Sequence, residues 1–242
     1  MDLIKACEIG NLEEVKRLVE GGENIHVGYE AALKWAAFNG RLGVVKYLIE
    51  KGADIEAAYD DALVWASSRG QIVVVELLLE AKLEKERGAA LVQAVKGGHI
   101  EIVKLLLEQN VDAALKEAVV AENEELVGLL LENNPSNIGE AVKEAILSRN
   151  GKIVTMLLEK GIQEKERAEA LITALSVGNI DIVKMLINKE ADLLTIIREL
   201  PYVEDVKHLL SELNTEHLEK MLELAANKRE RKIIKKELKK RK

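Results

Sequence analysis

Four columns of apolar residues keep step through eight successive segments of this 242-residue chain, and few folds satisfy that constraint. Val15, Val45, Val75, Val103, Val127, Val154, Val183 and Val206 anchor the segments. Three residues after each stands a leucine: Leu18, Leu48, Leu78, Leu106, Leu130, Leu157, Leu186 and Leu209. Nine before each anchor lies Ala6, Ala36, Ala66, Ala94, Ala118, Ala145 or Ala174, with Ile197 in the last segment. Three earlier still come Leu3, Leu33, Leu63, Leu91, Leu115, Val142, Leu171 and Leu194. Spacings of three and four residues put such pairs on one face of a helix. Each segment therefore reads as two short amphipathic helices. The Leu-x-x-Ala helix comes first, with alanine allowing close approach, and the Val-x-x-Leu helix follows. Gly10, Gly40, Gly70, Gly98 and Gly178 close the first helix in five segments, where a left-handed residue is expected. One such pair cannot bury its own apolar stripe, so neighbours must stack into a solenoid. With two prolines and 3 % aromatic residues, composition also reads as all-α.

Other features narrow the class. A single cysteine, Cys7, excludes a disulfide framework and leads us to expect a reducing intracellular compartment, cytoplasmic or nuclear. The apolar run Ile72 to Leu79 is broken by Glu76, so no membrane span is expected. The N-terminal ten residues carry Asp2 and Glu8 without an apolar stretch, so no secretory leader is expected. The four histidines are scattered, no cysteines pair, and no glycine-rich phosphate loop occurs. The expectation is a non-enzymatic protein with no metal, no cofactor and no small-molecule substrate.

The segment Leu33-x-x-Ala36-Ala37-x-x-x-Gly40-x-Leu42-x-x-Val45-x-x-Leu48-Ile49-x-x-Gly52-Ala53-Asp54-Ile55 resembles an ankyrin repeat. Gly98-His99-Ile100-Glu101-Ile102-Val103-Lys104-Leu105-Leu106-Leu107-Glu108 is similar to the family's second helix, and the resemblance spans residues 1–213. The family's Thr-Pro-Leu-His turn is missing, and Ala32, Ala62, Ala90, Ala114, Ala141 and Ala170 occupy its proline column. The anchor spacings of 30, 30, 28, 24, 27, 29 and 23 all fall short of the usual ~33. At fixed helix length this shortfall falls on the connecting hairpin, and the 24- and 23-residue units are expected to lack a projecting finger. Short copies opening Ala-Leu-x-Trp-Ala resemble most closely the ankyrin proteins of large DNA viruses of amoebae. The resemblance implies a solenoid of about eight short repeats that binds proteins on its concave face. It also implies a structural hydrogen bond for His99 and a place for Phe38 on that concave face.

Two asymmetries locate candidate sites. Tyr29, Trp35, Phe38, Tyr47, Tyr59 and Trp65 are six of the seven aromatic residues, all within repeats 2 and 3. Trp35 and Trp65 share one column, and Tyr29 and Tyr59 share another. Such clustering marks a partner-binding hot spot. The other reading has the tryptophans filling space left by the lost turn. The expected partner-binding set is Tyr29, Trp35, Phe38, Asn39, Tyr59, Trp65, Ser68 and Arg69.

The second asymmetry is charge. The net charge of −7 conceals a basic tail. Residues 228–242 hold ten cations (Lys228, Arg229, Arg231, Lys232, Lys235, Lys236, Lys239, Lys240, Arg241 and Lys242) against two acids, net +8. The rest of the chain holds 25 cations against 40 acids, net −15. Domains are read as a solenoid over 1–213, a capping helix over 214–227 carrying Leu218, Met221, Leu222 and Ala225, and a basic helical or disordered tail over 228–242. The expected function is non-catalytic protein–protein recognition around repeats 2 and 3. Weak, non-specific nucleic-acid association through the tail, a nuclear-import signal, tail docking between copies, and a solvated tail are the alternatives for the second asymmetry.

Overall fold

The computed structural model describes residues 1–80, 87–107, 111–186, 194, 210–211, 215–225 and 227–240, and all regular structure among them is helical. The chain divides into two compact units, Met1–Pro135 and Ser136–Lys242. The first holds five helix pairs: α1 (Leu3–Ile9) with α2 (Leu12–Glu20), α3 (Val27–Phe38) with α4 (Leu42–Glu50), α5 (Ile55–Ser68) with α6 (Ile72–Glu80), α7 (Gly88–Lys96) with α8 (Ile100–Leu106), and α9 (Val111–Val120) with α10 (Glu124–Leu131). The second holds α11 (Ile138–Leu147) with α12 (Gly151–Lys160), α13 (Glu164–Val177) with α14 (Ile180–Leu186), and α15 (Thr215–Leu224) against α16 (Lys228–Lys239).

Burial follows the sequence columns. The anchor valines from Val15 to Val183 and the alanines from Ala6 to Ala174 are fully inaccessible to solvent. The leucines from Leu18 to Leu186 are buried with them. Ala32, Ala62, Ala90, Ala114, Ala141 and Ala170 are buried too, so the column that lost its proline now serves helix-to-helix packing. In the first unit α1, α3, α5, α7 and α9 pack side by side in one layer, whereas α2, α4, α6 and α8 touch each other only lightly. Of the eighth segment, Leu194 is buried; Ile197, Val206 and Leu209 lie outside the described residues.

Helix length does not stay fixed. α5 and α13 each run 14 residues, twice the length of α1, and their connections to the preceding helix shrink to residues 51–54 and 161–163. The expectation that spacing reflects only the connecting hairpin is corrected here: in the longer units the additional residues are helix. In α5 the reason is visible locally. Asp54 Oδ1 accepts from the Ala57 amide at 3.0 Å, and Ala58 and Tyr59 extend the buried stripe of Ala62, Leu63 and Ala66 one turn further back.

Every first helix with a described end is followed by a left-handed residue four positions after its alanine. Gly10, Gly40, Gly70, Gly98 and Gly178 take φ between 68° and 84°, and the same column holds Glu122 at 52° and Arg149 at 59°. The next column explains which repeats need glycine. Arg41 Nε donates to the Glu8 carbonyl at 3.0 Å, Gln71 Nε2 to the Phe38 carbonyl at 3.3 Å, and the His99 ring meets the Ser68 carbonyl through Nε2 at 3.2 Å. Each long side chain reaches back one repeat and crosses the glycine there. A Cβ on Gly10, Gly40 or Gly70 would come within 2.6, 2.1 or 2.7 Å of it. Asn123, Asn150 and Asn179 each cap their own helix by accepting the amide three residues on, at 3.1–3.2 Å.

Candidate functional site

α3 and α5 lie side by side and bring the paired tryptophans together. The ring centroids of Trp35 and Trp65 are 5.6 Å apart at 59°. Phe38 meets Trp35 edge-to-face at 5.6 Å and Trp65 at 6.2 Å. The Arg69 guanidinium lies 5.0 Å from the Phe38 ring centroid, in cation–π range. Trp35 is exposed at 37 %, Phe38 and Trp65 are half-buried, and Arg69 is exposed. Four side chains from two repeats thus form one surface cluster. Aromatic groups held against each other lose less freedom when a partner covers them.

The backbone beneath this cluster is fixed. Asn39 Nδ2 donates to the Trp35 carbonyl at 2.9 Å, and Ser68 Oγ donates to the Trp65 carbonyl at 2.8 Å. Both predicted polar residues therefore tie off the last turn of the helix that carries a tryptophan. The Phe38 and Ser68 carbonyls are themselves held by Gln71 and His99. Beside the cluster, Lys34 Nζ pairs with Asp61 at 2.7 Å, joining α3 to α5. Lys143 and Glu169 pair at 2.9 Å between α11 and α13, in the same two columns. Their mutual hydrogen bond raises the Lys143 ammonium above its ordinary pKa and lowers the Glu169 carboxyl below its own.

The two tyrosines of one sequence column part company. Tyr59 is fully buried in α5, so the expectation that it contacts a partner is corrected: its ring belongs to the core. Tyr29 is 91 % exposed, because Gly28, Tyr29 and Glu30 take left-handed conformations, with φ of 62°, 53° and 62°, at the start of α3. Below that turn Glu30 is buried and its carboxylate meets the His26 ring through Nδ1. Cys7 is buried in α1, and desolvation pushes its thiol up to about 12, so it stays protonated at neutral pH. Sequence reasoning missed the reach-back contacts of Arg41 and Gln71 and the Lys34–Asp61 pair. The column five residues after each repeat alanine carried the first signal, since every member is a polar residue able to hydrogen-bond.

In α16, Lys228, Arg229, Arg231, Lys232, Lys235, Lys236, Lys239 and Lys240 are exposed. Arg231 Nε donates to the Ala225 carbonyl at 3.1 Å, and Lys240 pairs with Glu237 at 2.6 Å. Arg241 and Lys242 lie outside the described residues. No helix among the described residues is long and apolar enough to cross a membrane, and among them no group of histidine, cysteine, aspartate and glutamate could hold a metal ion.

Comparison with known proteins agrees with the helical-repeat fold. A model of ankyrin repeats matches three times, over residues 3–59, 56–117 and 115–197. The crystal structure of the human ASB11 ankyrin repeat domain superposes with a TM-score of 0.63 at 23 % identity, covering 84 % of this chain and 99 % of that one, a likeness of fold. No curated protein matches. The narrower likeness to viral ankyrin proteins is carried by none of these matches. With three matches that together span most of its length, the chain belongs to the ankyrin-repeat family.

Proposed function

We propose that this chain is a non-catalytic recognition scaffold that binds a protein partner on the concave face of repeats 2 and 3. Ankyrin-repeat domains generally mediate protein–protein interaction and typically work without catalysis, and the fold alone names no partner. The observation that carries the site is the cluster of Trp35, Phe38, Trp65 and Arg69, aromatic rings and a cation gathered from two repeats on the first-helix layer. Tryptophan and arginine are enriched among the few residues that carry most of the binding energy of protein interfaces. Asn39 and Ser68 border the cluster and hold its helix ends, and Tyr29 stands out from the same repeat. In this reading residues 1–213 are the recognition body and 214–227 its cap. The setting is intracellular, cytoplasmic or nuclear, resting on the single buried thiol of Cys7.

The test is a hydrogen-exchange footprint of the complex formed with a partner captured from native lysate. Slowed exchange concentrated over residues 29–69 is expected. A footprint that leaves those residues untouched and protects the second helices would place recognition elsewhere.

A further inference from the structure

The C-terminal helix sorts its charges by face. Asn227 caps α16 by accepting the Glu230 amide at 2.9 Å, and its side-chain amide also meets the Glu230 carboxylate. Lys236 and Lys239 occupy the last turn, where the helix dipole favours cations. Within this helix Ile233, Ile234 and both acids, Glu230 and Glu237, are buried, and Leu238 is half-buried. Everything apolar or negative turns inward. The outward face carries Lys228, Arg231, Lys232, Lys235, Lys236 and Lys239. Those positions step by three, one, three, one and three residues, which is one stripe along a helix. Among the described residues Lys228, Lys232, Lys235, Lys236 and Lys239 have no carboxylate partner.

We propose that this stripe binds the phosphodiester backbone of duplex nucleic acid without reading its bases. From Lys228 to Lys239 the helix rises ~16 Å, and along that length of duplex axis one strand presents about five phosphates. Six cations therefore face a comparable number of negative charges. Lysines act as point charges on phosphate, whereas guanine is read in the major groove by a two-pronged arginine. The one arginine of the stripe, Arg231, is already engaged with the Ala225 carbonyl. Single strands are normally held by aromatic stacking platforms, and residues 203–242 contain no phenylalanine, tyrosine or tryptophan. A membrane surface fits less well, because α16 leaves Ile233 and Ile234 buried and presents no broad apolar face for insertion. The inference is independent of the aromatic cluster.

Fluorescence anisotropy of the full chain with a 20-base-pair DNA duplex tests it. Affinity should fall with a slope of about −4 in log K against log salt, a loss of ~250-fold between 50 and 200 mM. Two unrelated duplex sequences should bind alike. Lys232→Gln, Lys235→Gln and Lys239→Gln together should weaken binding more than tenfold and flatten the slope, with the circular dichroism spectrum unchanged. The corresponding triple arginine variant should restore binding, and Phe38→Ala should leave it intact. Failure to bind duplex at 50 mM salt, or wild-type affinity in the triple glutamine variant, would overturn the proposal. So would tighter binding to a single strand of equal length, or to phosphatidylserine vesicles in the absence of duplex binding.

Discussion

Gly70 and Gly98 share nearly one backbone conformation, φ 73° and 71°, but not one environment. A Cβ on Gly98 would meet nothing, whereas on Gly70 it would strike the His99 ring that holds the Ser68 carbonyl. Gly98→Ala should cost only the left-handed penalty of ~1–2 kcal/mol. Gly70→Ala should cost distinctly more in urea unfolding, and in a His99→Asn background its cost should drop to that of Gly98→Ala. Equal costs in the native background would show that His99 is not the obstacle. A second contrast lies within α8. Leu106 is buried, so Leu106→Ala should cost ~2–5 kcal/mol, while exposed Glu101→Ala should stay within ~0.5 kcal/mol despite its ion pair with Lys104. This much was legible from the columns alone, because an apolar residue at fixed register over eight copies has only the core to occupy. The crossing of glycines was not. It depends on side-chain length in the following repeat, and nothing in a single repeat shows that Asn123 and His99 do different work in the same column.

The helices carry their own lesson. Spacing between anchors suggested shorter hairpins at constant helix length, yet α5 and α13 lengthen to 14 residues. A short hairpin and a long helix give the same residue count, and only the Asp54 cap and the buried Ala58-Tyr59 turn separate them. Tyr59 was misread for the same reason, since a column shared with Tyr29 means a shared position only where the backbone follows the same path. Between elements, Lys143 and Glu169 bind α11 to α13. The lowered Glu169 pKa makes its contribution present above the ordinary carboxylate value of 4.5 and lost as pH falls below it. The raised Lys143 pKa makes the ammonium's share present below 10.5 and lost above. A double-mutant cycle with Lys143→Met and Glu169→Gln should therefore show favourable coupling at pH 7 that weakens as pH falls from 4.5 to 3. Coupling unchanged at pH 3 would mean the pair acts through packing and not charge.

Across the whole chain, the two proposed binding regions lie in different units and differ in chemistry. An aromatic and cationic cluster sits in the unit Met1–Pro135, and a lysine stripe sits on the last helix of the unit Ser136–Lys242. Both were legible as compositional bias, because six aromatics in one stretch and net +8 in fifteen residues stand out against the rest of the chain. What the bias could not supply was the sorting. Trp35, Phe38, Trp65 and Arg69 come together only when α3 packs on α5, and Glu230 and Glu237 leave the basic face only when α16 packs inward. In the proposed function the Trp35–Phe38–Trp65–Arg69 cluster recognises the partner, and Phe38 is its hub, touching the other three. The most direct measurement is the dissociation constant of the captured partner for the intact chain and for Phe38→Ala, by calorimetric titration, with Tm taken in parallel. We predict a loss of ~1–3 kcal/mol, about 5- to 150-fold in Kd, with Tm lowered by no more than a few degrees. An unchanged Kd in a folded Phe38→Ala protein would contradict the proposed binding site.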